Sequence, residues 1–366
     1  MTEFDGERVL ALVGGEGTAG RCVVGGADVV IGSTGTLITM AAGDAPTRSG
    51  VWNAREVRLV GPAPEPVTER LTGRPLGADG GPLPIHIAVR AAEGALYLGT
   101  ASLSRAGTCD GVLTDCELVL DAPLSRELLR RVRPPLPPVG LPGLEWLGEV
   151  NGDRAAALER FLTGWYPTDG EAGAVASSRT HAVSALPAGL RQLYRLAERR
   201  PAVLGGQNAI LPESSRRTDQ LGEMRVVADE SQGGFCWSLL WTLEGPEADP
   251  TVWFREFTEE PIAEQEPLSG FLIQFSLFEA SMGADYLATT NRLTAPQVEQ
   301  LGQALRLVPL RPFWPWAPTR FYVAPGLVVR VSTKDGREFD GWAGATHRSA
   351  LAPLADLPID WRRFDG

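Results

Sequence analysis

The stretch RPPLPPVGLPG, from Arg133 to Gly143, places five prolines within eleven residues. That density removes too many backbone donors for a helix interior or a central strand, and it favours a stiff polyproline II spacer. A chain of 366 residues also exceeds what one hydrophobic core usually organises. The sequence therefore divides into a domain over residues 1–133, a proline-rich linker over 134–144, and a second domain over 145–366.

The pattern of apolar residues changes across the spacer. Before it, short β-type runs recur, among them RCVVGGADVVIG, TLITMAAG, PIHIAVRAA, ALYLGTASLS and CELVLDAPL, separated by glycine, proline and aspartate. This spacing predicts a mostly antiparallel sandwich or barrel. The segment from Gly61 to Pro84 is rich in proline and glycine and reads as a long loop. Ser125 to Val132 reads as a short terminal helix.

After the spacer, helical and extended patterns mix. Leu158, Phe161, Leu162 and Trp165 form one apolar stripe, and Leu190, Leu193, Tyr194 and Ala197 form another. LSGFLIQFSLFEASM is apolar around much of its circumference, so it should be the most buried helix, with Ser269 as its N-cap. Thr294 and Gln297 have capping-box spacing ahead of a further helix. Strands are expected at MRVVAD, FCWSLLW, TVWFREF, TRFYVA and LVVRVST. Successive strands without intervening helices favour an antiparallel sheet with helices packed on it, so the whole chain reads as α+β.

Composition narrows the function classes. The net charge is −11, the wrong sign for a sequence-independent nucleic-acid binder and suited to a basic partner. No run of about 18 apolar residues suggests a membrane span, and the acidic start MTEFDGERVL does not resemble a secretory signal. A cytoplasmic location is the expectation. Cys22, Cys109, Cys116 and Cys236 lack CxxC spacing and read as buried free thiols, and the three histidines lie far apart; no metal site is expected. Gly15 to Gly20 spells GxGxxG, but the β-branched residues that follow predict a hairpin rather than the helix a pyrophosphate needs. No cofactor is expected.

Catalytic signatures such as GxSxG, GxxxxGK[ST] and HExxH are missing from the sequence, which favours binding over catalysis. Most of the ten tryptophans lie after the spacer. In PFWPWAPTRF the prolines prevent regular structure and would present Trp314 and Trp316 on an irregular surface segment. Rigid aromatics of this kind serve as interface anchors. The predicted partner surface combines the acidic turn Asp229, Glu230 and Gln232 with Trp253, Trp314 and Trp316.

The order of elements between Ala185 and Ala288 resembles the SUKH superfamily. LPAGLRQLYRL is similar to its opening helix and QNAILP to the following connector. VVADESQGGFCWSLLW resembles its central hairpin, Asp249-Pro250-Thr251-Val252-Trp253 its next strand, and LSGFLIQFSLFEA its late helix. The resemblance implies a binding protein, and specifically an immunity protein that neutralises a cognate bacterial toxin, such as a nuclease or deaminase, by occlusion. It leaves open a regulatory or scaffold role, and an enzymatic or ligand-carrying role for the N-terminal domain.

Overall fold

A computed structural model describes residues 3–4, 10–14, 20–41, 55–73, 76–77, 80–91, 94–110, 112–132, 140–166, 186–212, 215, 217–218, 224–240, 247–256, 259–314, 317–333 and 336–366. The chain is α+β and forms two compact units. Unit 1 comprises Met1–Pro137 with Arg363–Asp365, and unit 2 comprises Pro138–Arg362 with Gly366.

Unit 1 contains strands β1 (Glu3–Phe4), β2 (Gly20–Val24), β3 (Ala27–Ile31), β4 (Thr36–Ala41), β5 (Glu56–Ala63), β6 (Ile85–Ala91), β7 (Gly94–Cys109) and β8 (Val112–Leu120). They hydrogen-bond in the order β2-β3-β4-β6-β7-β8-β5, with β1 beside β7. The pairings are antiparallel except β4 with β6, which is parallel. The strand β2 begins at Gly20, the last glycine of the GxGxxG, and turns into β3. Gly25 and Gly26 both have positive φ, the backbone state a tight hairpin requires. The two ends of the strand order approach each other: a Cβ built on Gly61 would lie 3.6 Å from the Gly25 backbone.

The Gly61 to Pro84 segment is not the long loop its composition suggests. Its first residues complete β5, and Glu65–Thr72 forms helix α1. Prolines are tolerated in a helix's first turn, where the backbone N–H groups have no intrahelical partner. Val67 and Leu71, one turn apart, then bury against the sheet interior. Arg70 donates to the Gly32 and Gly35 carbonyls and to Thr36 Oγ1, tying α1 to the β3–β4 turn. A second helix, α2 (Arg126–Val132), ends the unit's described β-rich part, and its Leu129 and Val132 are buried.

Unit 2 begins with part of the expected linker. Pro142 O accepts from Gly326 N at 2.9 Å and Leu144 packs on the core, so these residues belong to the folded unit; residues 134–139 of the linker lie outside the described residues. Helices α3 (Arg154–Trp165) and α4 (Ala188–Ala197) follow, with Leu158, Phe161, Leu162, Trp165, Leu190 and Leu193 buried as their spacing predicts. Strands β9 (Asn208–Ile210), β10 (Met224–Glu230), β11 (Phe235–Leu240), β12 (Thr251–Glu256) and β13 (Ile262–Pro267) form an antiparallel sheet in the order β13-β12-β11-β10-β9.

Helix α5 (Leu268–Met282) follows, with Leu268 and every residue from Gly270 to Ser281 buried. Its start is capped from outside the helix, and Ser269 is not the N-cap: Asp249 accepts from Ser269 N at 2.8 Å and from Ser269 Oγ at 2.7 Å. A second sheet is built from β14 (Tyr286–Leu293), β15 (Arg306–Leu307), β16 (Thr319–Ala324), β17 (Leu327–Thr333) and β18 (Phe339–Ala345), in the order β15-β16-β17-β18-β14. Helix α6 (Ala295–Ala304) carries the expected capping box, in which Thr294 N donates to Gln297 Oε1 at 2.9 Å. The core joins α5 to both sheets. At its centre Trp237 stacks on Phe313 at 5.8 Å and 11° and meets Phe235 edge-on at 5.0 Å.

Candidate protein-binding face

The register of the first sheet fixes which predicted site residues can act together. On β12, Val252 and Phe254 enter the core, so Trp253 between them points to the opposite face. It is half-buried and pairs with Ser238 on β11, which is itself buried. The next outward row holds Asp229, Cys236 and Arg255. Trp253 and Asp229 therefore share one face, one row apart. Leu240 continues the outward side of β11 and is 52% exposed.

The acidic turn is differently built from its sequence expectation. Asp229 is held by Arg217 through two hydrogen bonds of 2.7 and 2.9 Å, so its charge is partly neutralised at the surface. Glu230 is buried. Its Oε2 accepts from Gln232 N and Gly234 N at 2.9 and 3.0 Å, and its Oε1 from Gln207 Nε2 at 3.0 Å. Burial pushes this carboxyl up, but the Gly234 and Gln232 amides, with Ser231 and Gln207, outweigh it and hold the carboxyl below the usual range. Glu230 is thus the clasp of the β10–β11 turn, not a free steering charge. Gln232 is exposed at the turn.

Trp314 belongs elsewhere. Glu264 on β13 accepts from Trp314 N at 3.1 Å and from Trp237 Nε1 at 2.9 Å, while Glu266 accepts from Arg311 N at 2.9 Å and pairs with Arg154 at 2.7 Å. Two buried carboxylates pin residues 311–314 on the core side of the sheet. The buried anchor of this segment is Phe313, and Trp314 is half-buried against the same core. Trp253 and Trp314 consequently lie on opposite sides of the sheet, and the single composite surface is corrected to a face bearing Asp229 and Trp253. Trp316 lies outside the described residues. Burial raises Glu264 to about 7, against the hydrogen bonds from Trp237 and Trp314 that favour its charged form.

Chemistry elsewhere is sparse. No group of three or more potential metal ligands occurs among the described residues. All four cysteines are free; Cys116 and Cys236 are buried as expected, whereas Cys109 is exposed and Cys22 only partly covered. Burial, with the nearby Asp115 and Glu117 charges, pushes the Cys116 thiol up to about 12, which keeps it protonated and unreactive at neutral pH. Gly20 opens β2, whereas Gly15 and Gly17 lie outside the described residues. No helix among the described residues is long and apolar enough to cross a membrane. No protein-family model, curated protein or solved structure matches the chain.

Proposed function

We propose that the protein acts by binding a basic protein partner, and that it is an immunity protein neutralising a cognate toxin by covering it. The observation that supports this reading is Trp253, an indole on β12, the strand next to the sheet edge, on the face away from the core. A tryptophan on a packed strand is already ordered before binding, so it can supply contact area with little further loss of freedom. Exposed Leu240 lies on the same face, and the chain's net charge of −11 favours encounter with a positively charged partner.

The test is co-expression with the toxic open reading frame adjacent to the gene in its native genome. Growth should be rescued by the parent protein and lost with Trp253→Ala, provided that variant keeps its parent's melting temperature within a few degrees. Rescue undiminished by Trp253→Ala would remove this face from the mechanism, and the lack of any rescue by the parent would remove the immunity reading.

A further inference from the structure

The second sheet of unit 2 holds a cleft of about 470 Å³ lined by residues that include Arg330, Trp342, Thr289, Ser332, Asp340 and Arg362. Arg330 and Trp342 are directly opposed across β17 and β18, and Thr289 opposes Trp342 across β18 and β14. The guanidinium is clamped between two rings, with its Cζ 4.2 Å from the Phe278 centroid and 5.1 Å from that of Trp342. Trp342 is fixed in turn, because its Nε1 donates to Ser281 O at 2.9 Å. One row further along, Ser332 faces Thr319 and Asp340.

What Arg330 lacks is an acceptor worthy of its charge. The hydrogen bond it makes runs from Nη2 to Met282 Sδ at 3.1 Å, and a thioether is a weak acceptor. No carboxylate lies within 4 Å of it among the described residues. The end of α5 nearby favours a cation, and the two rings contribute cation–π attraction, but neither satisfies the remaining N–H donors of the fork. Burial pulls this guanidinium down to about 10, opposed by the more distant charges of Glu279 and Asp340. Arg330 is half-buried and lines the cleft, so the donors that no protein acceptor takes up are left for solvent or a ligand there.

We propose that this cleft binds a small organic carboxylate, with Arg330 as the group that grips it. The lining sets the ligand's charge: two guanidiniums, Arg330 and Arg362, stand against the one carboxylate of Asp340, a net of +1 that matches a monoanion better than a phosphate dianion. The planar guanidinium can grip a carboxylate with two parallel hydrogen bonds. Ser332 Oγ donates to Thr319 Oγ1 at 2.7 Å, since the Thr319 proton goes to Ala317 O. That leaves the Ser332 lone pair and the Thr289 hydroxyl for the ligand's other polar groups, and the volume suits a compact organic acid. The site is independent of the protein-binding face around Trp253.

Sodium benzoate is the probe, and the readout is the indole ¹H–¹⁵N resonance of Trp342, assigned by its loss in Trp342→Phe. The full-length protein should show a saturable shift with a Kd on the order of 1 mM, absent with sodium chloride at equal ionic strength. Arg330→Gln should weaken binding about tenfold or more. Asp340→Asn should tighten it about threefold by removing the competing negative charge. Because Arg330→Gln can also disturb the fold, Ser332→Leu provides a second variant that fills the cleft while Arg330 itself is kept, and it too should abolish the shift. No saturable shift in the parent protein, an equal shift with chloride, or benzoate binding retained in folded Ser332→Leu would overturn the proposal. Tighter binding of inorganic phosphate than of benzoate at pH 7.5 would overturn the assignment to carboxylates.

Discussion

Unit 1 fills its interior with aliphatic residues such as Val29, Ile38, Leu59, Ile87 and Leu118, whereas unit 2 surrounds Trp237 with phenylalanines and buries Glu230, Glu264, Glu266 and Glu279. The buried polar side chains of unit 1 among the described residues are Thr36, Thr68, His86 and, from its C-terminal segment, the single carboxylate Asp365. Unit 1 relies on strand pairing around a large apolar interior and a smaller cluster of Val13, Val30, Leu37, Ala88 and Ala95, in which each residue's contribution is mainly its buried area. Unit 2 has two sheets, a central helix and several irregular connections, and its buried carboxylates tie those connections to the core. The difference teaches where each unit is vulnerable: unit 1 to lost volume, unit 2 to lost hydrogen-bond acceptors, and the two to pH in opposite directions.

The largest effect should come from Trp237→Ala. The indole is fully buried against Phe235, Phe254, Phe271, Phe275 and Phe313, and truncating such a residue costs about 3 to 5 kcal/mol. It also deprives Glu264 of one of its two donors. In urea denaturation followed separately for each unit, the unit 2 midpoint should collapse while that of unit 1 stays put. Equal shifts in both would break the comparison by showing that the units unfold as one.

Glu279→Leu should come next, at about 3 kcal/mol, because it strands four donors at once, the two on Asn208 buried and those of Gly206 and Gln207 partly so. Glu279 accepts from the backbone N–H groups of Gly206, Gln207 and Asn208 and from Asn208 Nδ2, at 2.8 to 3.0 Å. Amide exchange at residues 206–208 should accelerate in this variant beyond what the global stability loss explains. Normal protection there would show that the connection to β9 is held by other contacts.

These buried carboxylates also mark the limit of what the sequence discloses. The helical stripes of α3 and α4, the β10–β11 hairpin and the capping box at Thr294 are legible because each rests on local spacing. Glu264 and Glu266 in IAEQEP look like the solvent side of an edge strand, and nothing local announces that the chain returns at 311–314 to cover them. Arg330 in LVVRVST has the same ambiguity, since its aromatic clamp is assembled from α5 and β18. Helix α1 was hidden by Pro64 and Pro66; the usable signals were Val67 and Leu71 one turn apart and Gly73 closing the helix. The acidic turn was legible as a turn, but not the direction in which Glu230 points.

Acidity should drive the two units in opposite directions. Burial raises Glu264 from an unfolded value of 4.5 to about 7, and Glu279 is raised in the same sense by burial. A folded state that binds the proton more tightly gains stability as pH falls, so the contribution of Glu264 is present near pH 4.5 and lost as pH rises through about 7, by roughly 3 kcal/mol, and that of Glu279 runs in the same direction. His86 in unit 1 is lowered from 6.5 by burial, beside its 3.0 Å hydrogen bond to Tyr97. Unit 1 should therefore lose stability as pH falls below 6.5. Melting followed unit by unit from pH 8 to pH 5.5 should show unit 2 rising and unit 1 falling, with Glu264→Gln flattening the first trend and His86→Phe the second. Parallel trends would sink the contrast.

The smallest effects should be at the surface, where the two units ought to behave alike. Arg58–Asp115 in unit 1 and Arg217–Asp229 in unit 2 are each held by two hydrogen bonds of 2.7 and 2.9 Å, and both arginine side chains are about half exposed. The Arg58 hydrogen bond, offset in part by burial, holds the Asp115 carboxyl below its usual range. Exposed pairs of this kind contribute about 0.2 to 1 kcal/mol, and salt screens part of it. Asp115→Asn and Asp229→Asn should each cost no more than that, with the loss shrinking in high salt. Their difference lies in function. Asp229 shares the Trp253 face, but Arg217 already offsets its charge, so Asp229→Asn should slow association with a basic partner less than Trp253→Ala speeds dissociation. An association rate that falls about tenfold in Asp229→Asn would show that the pair opens on encounter and that the acidic residue steers after all.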